Sequence, residues 1–300
     1  MSLVSFVEIK QETISSMERA ILQSLDLIDY SFRKEIKTVI IKPNMCYYWD
    51  YSTGATTDPR FVAALVNLLR KKIAQDIDIS VVESDASAMK CQHVFKMLGY
   101  EELSKTYNIR LVNLSKDRSE IVEATAAGQR FRFMIPQIIQ NADLKINISK
   151  IKYAMKKIEL TCALKNVFGC NSFPKKYRYH PRLGEAIVAI NKLIKFDLSI
   201  IDGNIVSGIQ PRRLGLVMAS RDPVAIDTAA AEIAGISLRK IKYIQLAQKE
   251  GLGKTSFVPR GLPIVYFRSA YPKKDIKKIL MGRAYNLIVA TRLGGRLGLG

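Results

Sequence analysis

The sequence predicts an α/β fold, a doubly wound and mostly parallel sheet that carries an inserted β-hairpin. Three observations predict it. Short apolar, β-branched runs alternate with segments of helical periodicity; helix starts fall on Asp-Pro steps; and no Pro/Gly/Ser linker or low-complexity tract divides the 300 residues. Hydrophobic and charged fractions of 48% and 25% are those of a globular chain with a sizeable core. The expected organisation is one α/β unit over 1–267, with room for two lobes at 1–115 and 145–267. A basic C-terminal helix or tail follows at 268–300.

The elements follow in order. "LVSFVEI" reads as a first strand, and "KTVIIKPN" (37–44) as a buried strand stopped by Pro43. In "TTDPRFVAALVNLLRKK", Thr57 or Asp58 caps a helix, Pro59 takes its first position, and Phe61, Leu65, Leu68 and Leu69 form its apolar stripe. "DIDISVVES" (76–84) and "NIRLVNL" (108–114) are further strands, with a helix beginning at "KCQHVFKMLGY" between them. "SEIVEATAAGQRFRFM" alternates around Ala-Ala-Gly-Gln and predicts the hairpin. "PQIIQNADLKINISK" gives a short helix, a break and a strand. "LTCALKNVFG" (160–169) spaces Leu160, Ala163, Leu164, Val167 and Phe168 as one apolar helical face, which leaves Thr161 and Lys165 on the opposite one. The second half continues with the strand "FDLSIIDG" (196–203), the loop "NIVSGIQPRR" and the strand "LGLVMAS". Then comes the helix "DPVAIDTAAAEIAG", capped by Asp222 and closed by Gly235. "IKYIQLAQKEGLG" is a helix, and "LPIVYF" a late strand.

The net charge of +20 is concentrated. Residues 145–182 hold ten Lys/Arg against Glu159, and residues 268–300 hold eight against Asp275. Such segments are where anions or anionic polymers go. Four scattered cysteines with no CxxC pair predict no iron–sulfur cluster and fit free thiols in a reducing cytoplasm. Two histidines leave little for a metal site, and none is assigned. The N-terminus lacks a secretory pattern, and no apolar run reaches membrane-spanning length, so a cytoplasmic location is expected. No GxxxxGK[ST], no GxGxxG after a strand and no GxSxG elbow occurs, which removes the usual nucleotide-loop and serine-hydrolase readings.

Ligands of doubly wound sheets bind beyond the carboxyl ends of the strands. The polar groups at those ends are Lys42-Pro43-Asn44, Glu83-Ser84-Asp85, Ser149-Lys150-Ile151-Lys152, Asp202-Gly203 and Ser220-Arg221-Asp222, and together they predict a shared polar cleft. Lys42 directly follows "VII" and is expected to reach into it as a base or anion clamp. Asp227 sits where a helix normally buries Ala and reads as a hydrogen-bonded core acid. Tyr153, Phe168, Phe173, Tyr177 and Tyr179 interleave with the basic residues of 145–182, a mixture suited to a lid over a phosphorylated small molecule or to single-stranded nucleic acid.

"IIKPN" with "TTDP", then "ES-DAS", "LGY", "INISKIK", "LTCALKNVFG", "IIDG" and "LVMASRDPVAIDTAAAEIAGI" with "GLG" is similar to the domain-of-unknown-function family 362, from about residue 37 to 255. By that resemblance Lys42, Asn44, Asp58, Lys152, Thr161, Lys165, Asn166, Gly169, Asp202, Gly203, Asp222 and Asp227 occupy the family's signature positions. Two departures stand out. Tyr153-Ala154 replace a Thr-His pair, and Gln210-Pro211 follow Gly208 where the family has Gly-Pro. The ferredoxin-like extension of some members is absent from the cysteine pattern.

The expected function is that of an enzyme, or of a ligand-binding protein, acting on a phosphorylated or carboxylated small molecule. Lys42, Lys152 and Lys165 would clamp the anion while Asp85 or Asp202 supplies acid–base chemistry. Asn44, Asp58, Thr161, Asn166, Gly203, Gly208 and His180 are the expected ligand contacts. The alternative is a protein that binds nucleic acid or an anionic membrane surface through residues 145–182 and 268–300.

Overall fold

The structure is a computed structural model that describes residues 1–86, 89–154, 158–173 and 175–272. The expected basic tail from 273 onward lies outside the described residues. Eight strands form one sheet: β1 (Ser2–Glu8), β2 (Thr38–Lys42), β3 (Asp78–Glu83), β4 (Arg110–Asn113), β7 (Leu144–Ser149), β10 (Leu198–Val206), β11 (Arg212–Ser220) and β12 (Phe257–Gly261). Their order across the sheet is β12-β1-β11-β10-β7-β2-β3-β4. Every neighbouring pair is parallel except the two that β11 makes, with β1 and with β10.

The reversed strand has a simple cause. Only residues 207–211 join β10 to β11, and a parallel return needs a crossover of a dozen or more residues. Ser220-Arg221-Asp222, expected at the shared cleft, therefore lies at the opposite edge of the sheet. There it helps line a groove of about 980 Å³ with Asp29, Tyr30, Arg33 and Asp197.

The sheet is buried on both faces, as its continuous apolar strands require. Val39, Ile41, Val81, Ile146 and Leu198 pack under α1 (Ile14–Asp26), α2 (Pro59–Lys72), α3 (Cys91–Met97) and α4 (Tyr100–Thr106). Ile40, Val82, Ile201, Leu216 and Met218 face the other core. That core is built with α6 (Ala163–Val167), α7 (Leu183–Leu193), α8 (Pro223–Ile233) and α9 (Lys242–Lys249). The hairpin β5 (Ser119–Ala126) and β6 (Gln129–Pro136) also lies on this side, turning through positive φ at Ala127 and Gly128. α5 (Gln137–Asn141) returns the chain to the sheet. α10 (Ile264–Ala270) occupies the segment expected as a late strand, and the strand itself, β12, ends three residues before it.

One local correction bears on the site. Residues 160–169 are not one helix. Leu160–Thr161 form β9, which pairs with β8 (Lys152–Tyr153) so that Thr161 stands opposite Lys152. Cys162 then breaks from helical geometry with φ −152° and ψ −136°. α6 starts only at Ala163, because the buried Asp227 carboxylate of α8 accepts hydrogen bonds from the Ala163 (2.7 Å) and Leu164 (3.2 Å) N–H groups. Thr161 and Lys165 therefore share no helical face.

Candidate functional site: a lysine cluster at the carboxyl edge

β2 alternates so that Ile40 and Lys42 point to the same side, toward α6. Lys42 is almost fully buried, and its ammonium donates to Glu83 Oε2 at 2.7 Å and to the Pro43 carbonyl at 2.6 Å. The expected free clamp is instead one half of a buried ion pair between the ends of two neighbouring strands. Gly169 closes over this pair: a Cβ there would lie 2.9 Å from Lys42 Cε and 3.3 Å from Glu83 Oε1. Ser84 Oγ donates to the Gly169 carbonyl and accepts a hydrogen bond from Lys176, which brings a second buried ammonium to the same place.

Two asparagines tie the cluster together. Asn166 Nδ2 donates to Asn147 Oδ1 (2.7 Å) and to the carbonyls of Lys42 and Ile148 (both 3.2 Å), so α6 is pinned across β2 and β7. Its Oδ1 accepts from Asn44 Nδ2 at 2.9 Å. Asn44 Oδ1 in turn accepts from Lys152 at 2.6 Å, and Lys152 also donates to the Ala55 carbonyl at 2.9 Å. Burial holds the Lys152 ammonium below its usual pKa, and the neighbouring Lys150 and Lys42 charges act the same way against the Cys46 thiol beside it.

Lys165 stands apart from these. Its ammonium lies 4.9 Å from the centroid of the Phe168 ring and, among the described residues, has no hydrogen-bond or ion-pair partner. Burial first, and then the charges of Lys152, Lys176 and Lys42, lower its pKa to about 8. Burial also lowers Lys176 to about 8, with Glu83 opposing and Lys42 adding to the shift. The arrangement is thus four lysines, of which Lys42 engages the Glu83 carboxylate directly; Glu83 and Asp85 also act on Lys176. It can hold an anion, or present a neutral amine near neutral pH.

The other expected site residues have different work. Asp202 is fully buried beside the cluster; Oδ2 accepts from Lys150 (3.1 Å) and the Asp58 N–H (2.9 Å), and Oδ1 from the Asn204 N–H (3.1 Å). That set orders the loop before α2 and leaves Asp202 a structural anchor. Asp58 caps α2 through the Arg60 N–H at 2.8 Å and pairs with the Arg60 guanidinium; burial still raises its pKa against that pull. Asp85 accepts from the Cys91 N–H at the start of α3, from Asn113 and from Lys90. Burial would raise its pKa, but these bonds outweigh it and hold the carboxyl below its ordinary value, the reverse of what a general acid needs. Gly203 serves packing, since a Cβ would meet Leu216 Cβ at 2.9 Å. Gly208 lies against Pro272, and His180 is exposed in a 3-10 turn without reaching the cluster. Glu83, Lys150 and Lys176 were carried by the same sequence stretches; the strand-end position of Glu83, pairing with its parallel neighbour, was the available signal.

Among the described residues no group of three His, Cys, Asp or Glu is placed to hold a metal ion, and no helix is long and apolar enough to cross a membrane. A thylakoid-associated protein of Synechocystis sp. is 27% identical over 240 residues, which cover 75% of this chain and 72% of that protein. The solved structure of the lactate racemase apoprotein from Thermoanaerobacterium thermosaccharolyticum superposes with a TM-score of 0.47 at 10% identity. The match covers 79% of this chain, which spans 58% of that one. The model of the family described as Domain of unknown function (DUF362) matches residues 39–232, a stretch that runs from β2 through the whole lysine cluster to α8, and the chain belongs to that family.

Proposed function

We propose that this protein binds an anionic small molecule, phosphorylated or carboxylated, in the cluster of Lys152, Lys165 and Lys176, as an enzyme or as a binding protein. The observation that carries the reading is Lys165: a partly buried ammonium with three lysines around it and, among the described residues, no carboxylate of its own. Keeping like charges together out of water costs free energy that an anion would return. Lys152, oriented by Asn44, and Lys176, oriented by Ser84, supply directed donors. Lys42, paired with Glu83, adds its charge to theirs. The test is a thermal-shift and calorimetric screen of inorganic phosphate, diphosphate and small di- and tricarboxylates against the protein and its Lys165→Gln variant. Saturable binding that the variant loses supports the reading; equal responses from both proteins would discard it.

A second reading rests on a different surface. Arg130 and Arg132 of the hairpin, with Arg178 and Arg182, line a groove of about 680 Å³ that also holds Phe131 and Phe173, and Arg178 stacks 5.0 Å from the Phe173 centroid. Cations interleaved with aromatic faces suit single-stranded nucleic acid. Binding of a short RNA that weakens steeply with salt and is reduced by Arg178→Ala would favour it. As for compartment, the Synechocystis relative's name places that protein at a thylakoid, which is compatible with a peripheral membrane location here.

A further inference from the structure

Ten large hydrophobic side chains are exposed among the described residues, and six of them lie on one edge. Tyr47 and Trp49 belong to the loop after β2, Ile209 to the turn between β10 and β11, and Leu262, Val265 and Tyr266 to the segment after β12. These three connections all leave the carboxyl edge of the sheet, the edge on which the lysine cluster sits. The first two loops touch, since a Cβ on Gly54 would lie 2.3 Å from the Val206 carbonyl carbon. Tyr47 and Trp49 pack on each other with centroids 5.7 Å apart, yet remain about half exposed. The same edge carries exposed Lys10, Arg212, Arg213 and Arg260 against Glu12 and Asp50.

We infer that this edge is a docking face for an anionic lipid bilayer, with Tyr47, Trp49, Ile209 and Val265 entering the headgroup region and the basic residues pairing with lipid phosphates. Five strand spacings separate β12 from β2, so the protruding residues span roughly 24 Å. They are separate projections on different loops, with charges between them. A protein partner would need a matching socket for each, whereas a fluid interface accepts them all. Trp and Tyr, apolar with one polar atom, are suited to that boundary. The composition of the chain beyond Pro272 points the same way. Pro272 packs against Gly208, next to Ile209, and from there the sequence continues through 28 residues with seven Lys/Arg and one acid, including Ile276, Ile279 and Leu280. That composition suits an anionic surface. The inference goes beyond the lysine-cluster reading and stands or falls separately from it, because its test reads vesicle partition and Trp49 emission rather than anion binding at Lys152, Lys165 or Lys176.

Trp49 is the only tryptophan in the chain, so its emission reports the docking face directly. The full-length protein is mixed with vesicles of phosphatidylcholine alone or with one third phosphatidylglycerol, and sedimentation and emission are followed together. The expected result is co-sedimentation with the anionic vesicles only, weakened by salt, with a blue shift of Trp49. Ile209→Asp and Val265→Asp, both exposed and checked by melting, should each weaken partition by about tenfold. Sedimentation without a Trp49 shift would mean that residues 273–300 bind alone, and would overturn the inference. So would emission already blue and protected from iodide in the free protein, which would mean that the tail or a second copy covers the face. No association with either vesicle, or a Trp49 shift with RNA in place of lipid, would overturn it equally.

Discussion

Lys165 and Lys42 show how one residue type takes two roles within one cluster. Lys42 has a carboxylate 2.7 Å away and is buried with it; Lys165 has none among the described residues. The consequence for stability has a definite sign. Between pH 8 and 10.5 the folded state holds fewer protons on Lys165 than the unfolded chain does, so the cost of its charge is full below about pH 8 and fades as pH rises toward 10.5. Lys165→Met is therefore expected to raise stability at pH 7 by ~1–2 kcal/mol after allowance for partial exposure, and the gain should vanish near pH 10.5. Denaturant melts at pH 7 and 10 measure both, and a loss of stability at pH 7 would contradict the account. Removing one partner of the buried pair behaves in the opposite way. Glu83→Gln leaves Lys42 charged and uncompensated, an expected loss of about 3–5 kcal/mol. The double change Lys42→Met/Glu83→Leu should recover much of it. Gly169→Ala presses a methyl group on the same pair and should cost about 1–3 kcal/mol.

At the scale of elements, α6 shows what periodicity conveys and what it leaves out. The apolar spacing of Ala163, Leu164, Val167 and Phe168 is real, and all four are buried in the core. Extending it back to Leu160 and Thr161 fails because the N-terminal cap comes from another helix, and a carboxylate 64 positions away leaves no local pattern. Lys165 and Asn166 could be placed on the short helix by sequence; their neighbours Lys176, Asn44 and Asn147 could not be, since tertiary packing alone brings them together. Asp227 itself is pushed up to about 7 by burial, against hydrogen bonds from Ala163, Leu164, Cys162 and Tyr243. Its folded pKa lies above the unfolded one, so the stability it contributes is full below about pH 4 and is lost as pH rises through 7. Asp227→Asn keeps the shape of the protonated acid but turns an amide donor toward one backbone N–H. It is expected to cost about 1–3 kcal/mol at pH 5, with the deficit shrinking by pH 8. Parallel melts of the two proteins across that range test this, and a deficit that grows with pH would exclude the assignment.

For the whole molecule, the strand–helix alternation was enough to read a doubly wound sheet, and the runs "TVIIK" and "LSIID" are central strands because both faces of that sheet are covered. What alternation does not carry is direction. The five-residue link 207–211 reverses β11, sends Asp222 to the far edge, and leaves the carboxyl edge richer in lysine than in acid. On the anion-binding reading, this asymmetry would give the site an affinity that depends on pH. The cluster draws on β2, β8, α6 and the 3-10 turn at Lys176, segments up to 134 positions apart, so an anion bound there cross-links the fold and must stabilise it as a whole. An anion bound there would also restore the protonated form of Lys165 and Lys176, both lowered to about 8 by burial and the neighbouring lysine charges. Binding at pH 8 should then take up protons, up to about one per anion, and calorimetry in two buffers of different ionisation enthalpy reads that number directly. Affinity should be constant below about pH 7 and fall as pH rises through 8, and the ligand-induced increase in Tm should fade over the same interval. A ligand whose affinity instead rose with pH there would be bound by something other than these ammonium groups.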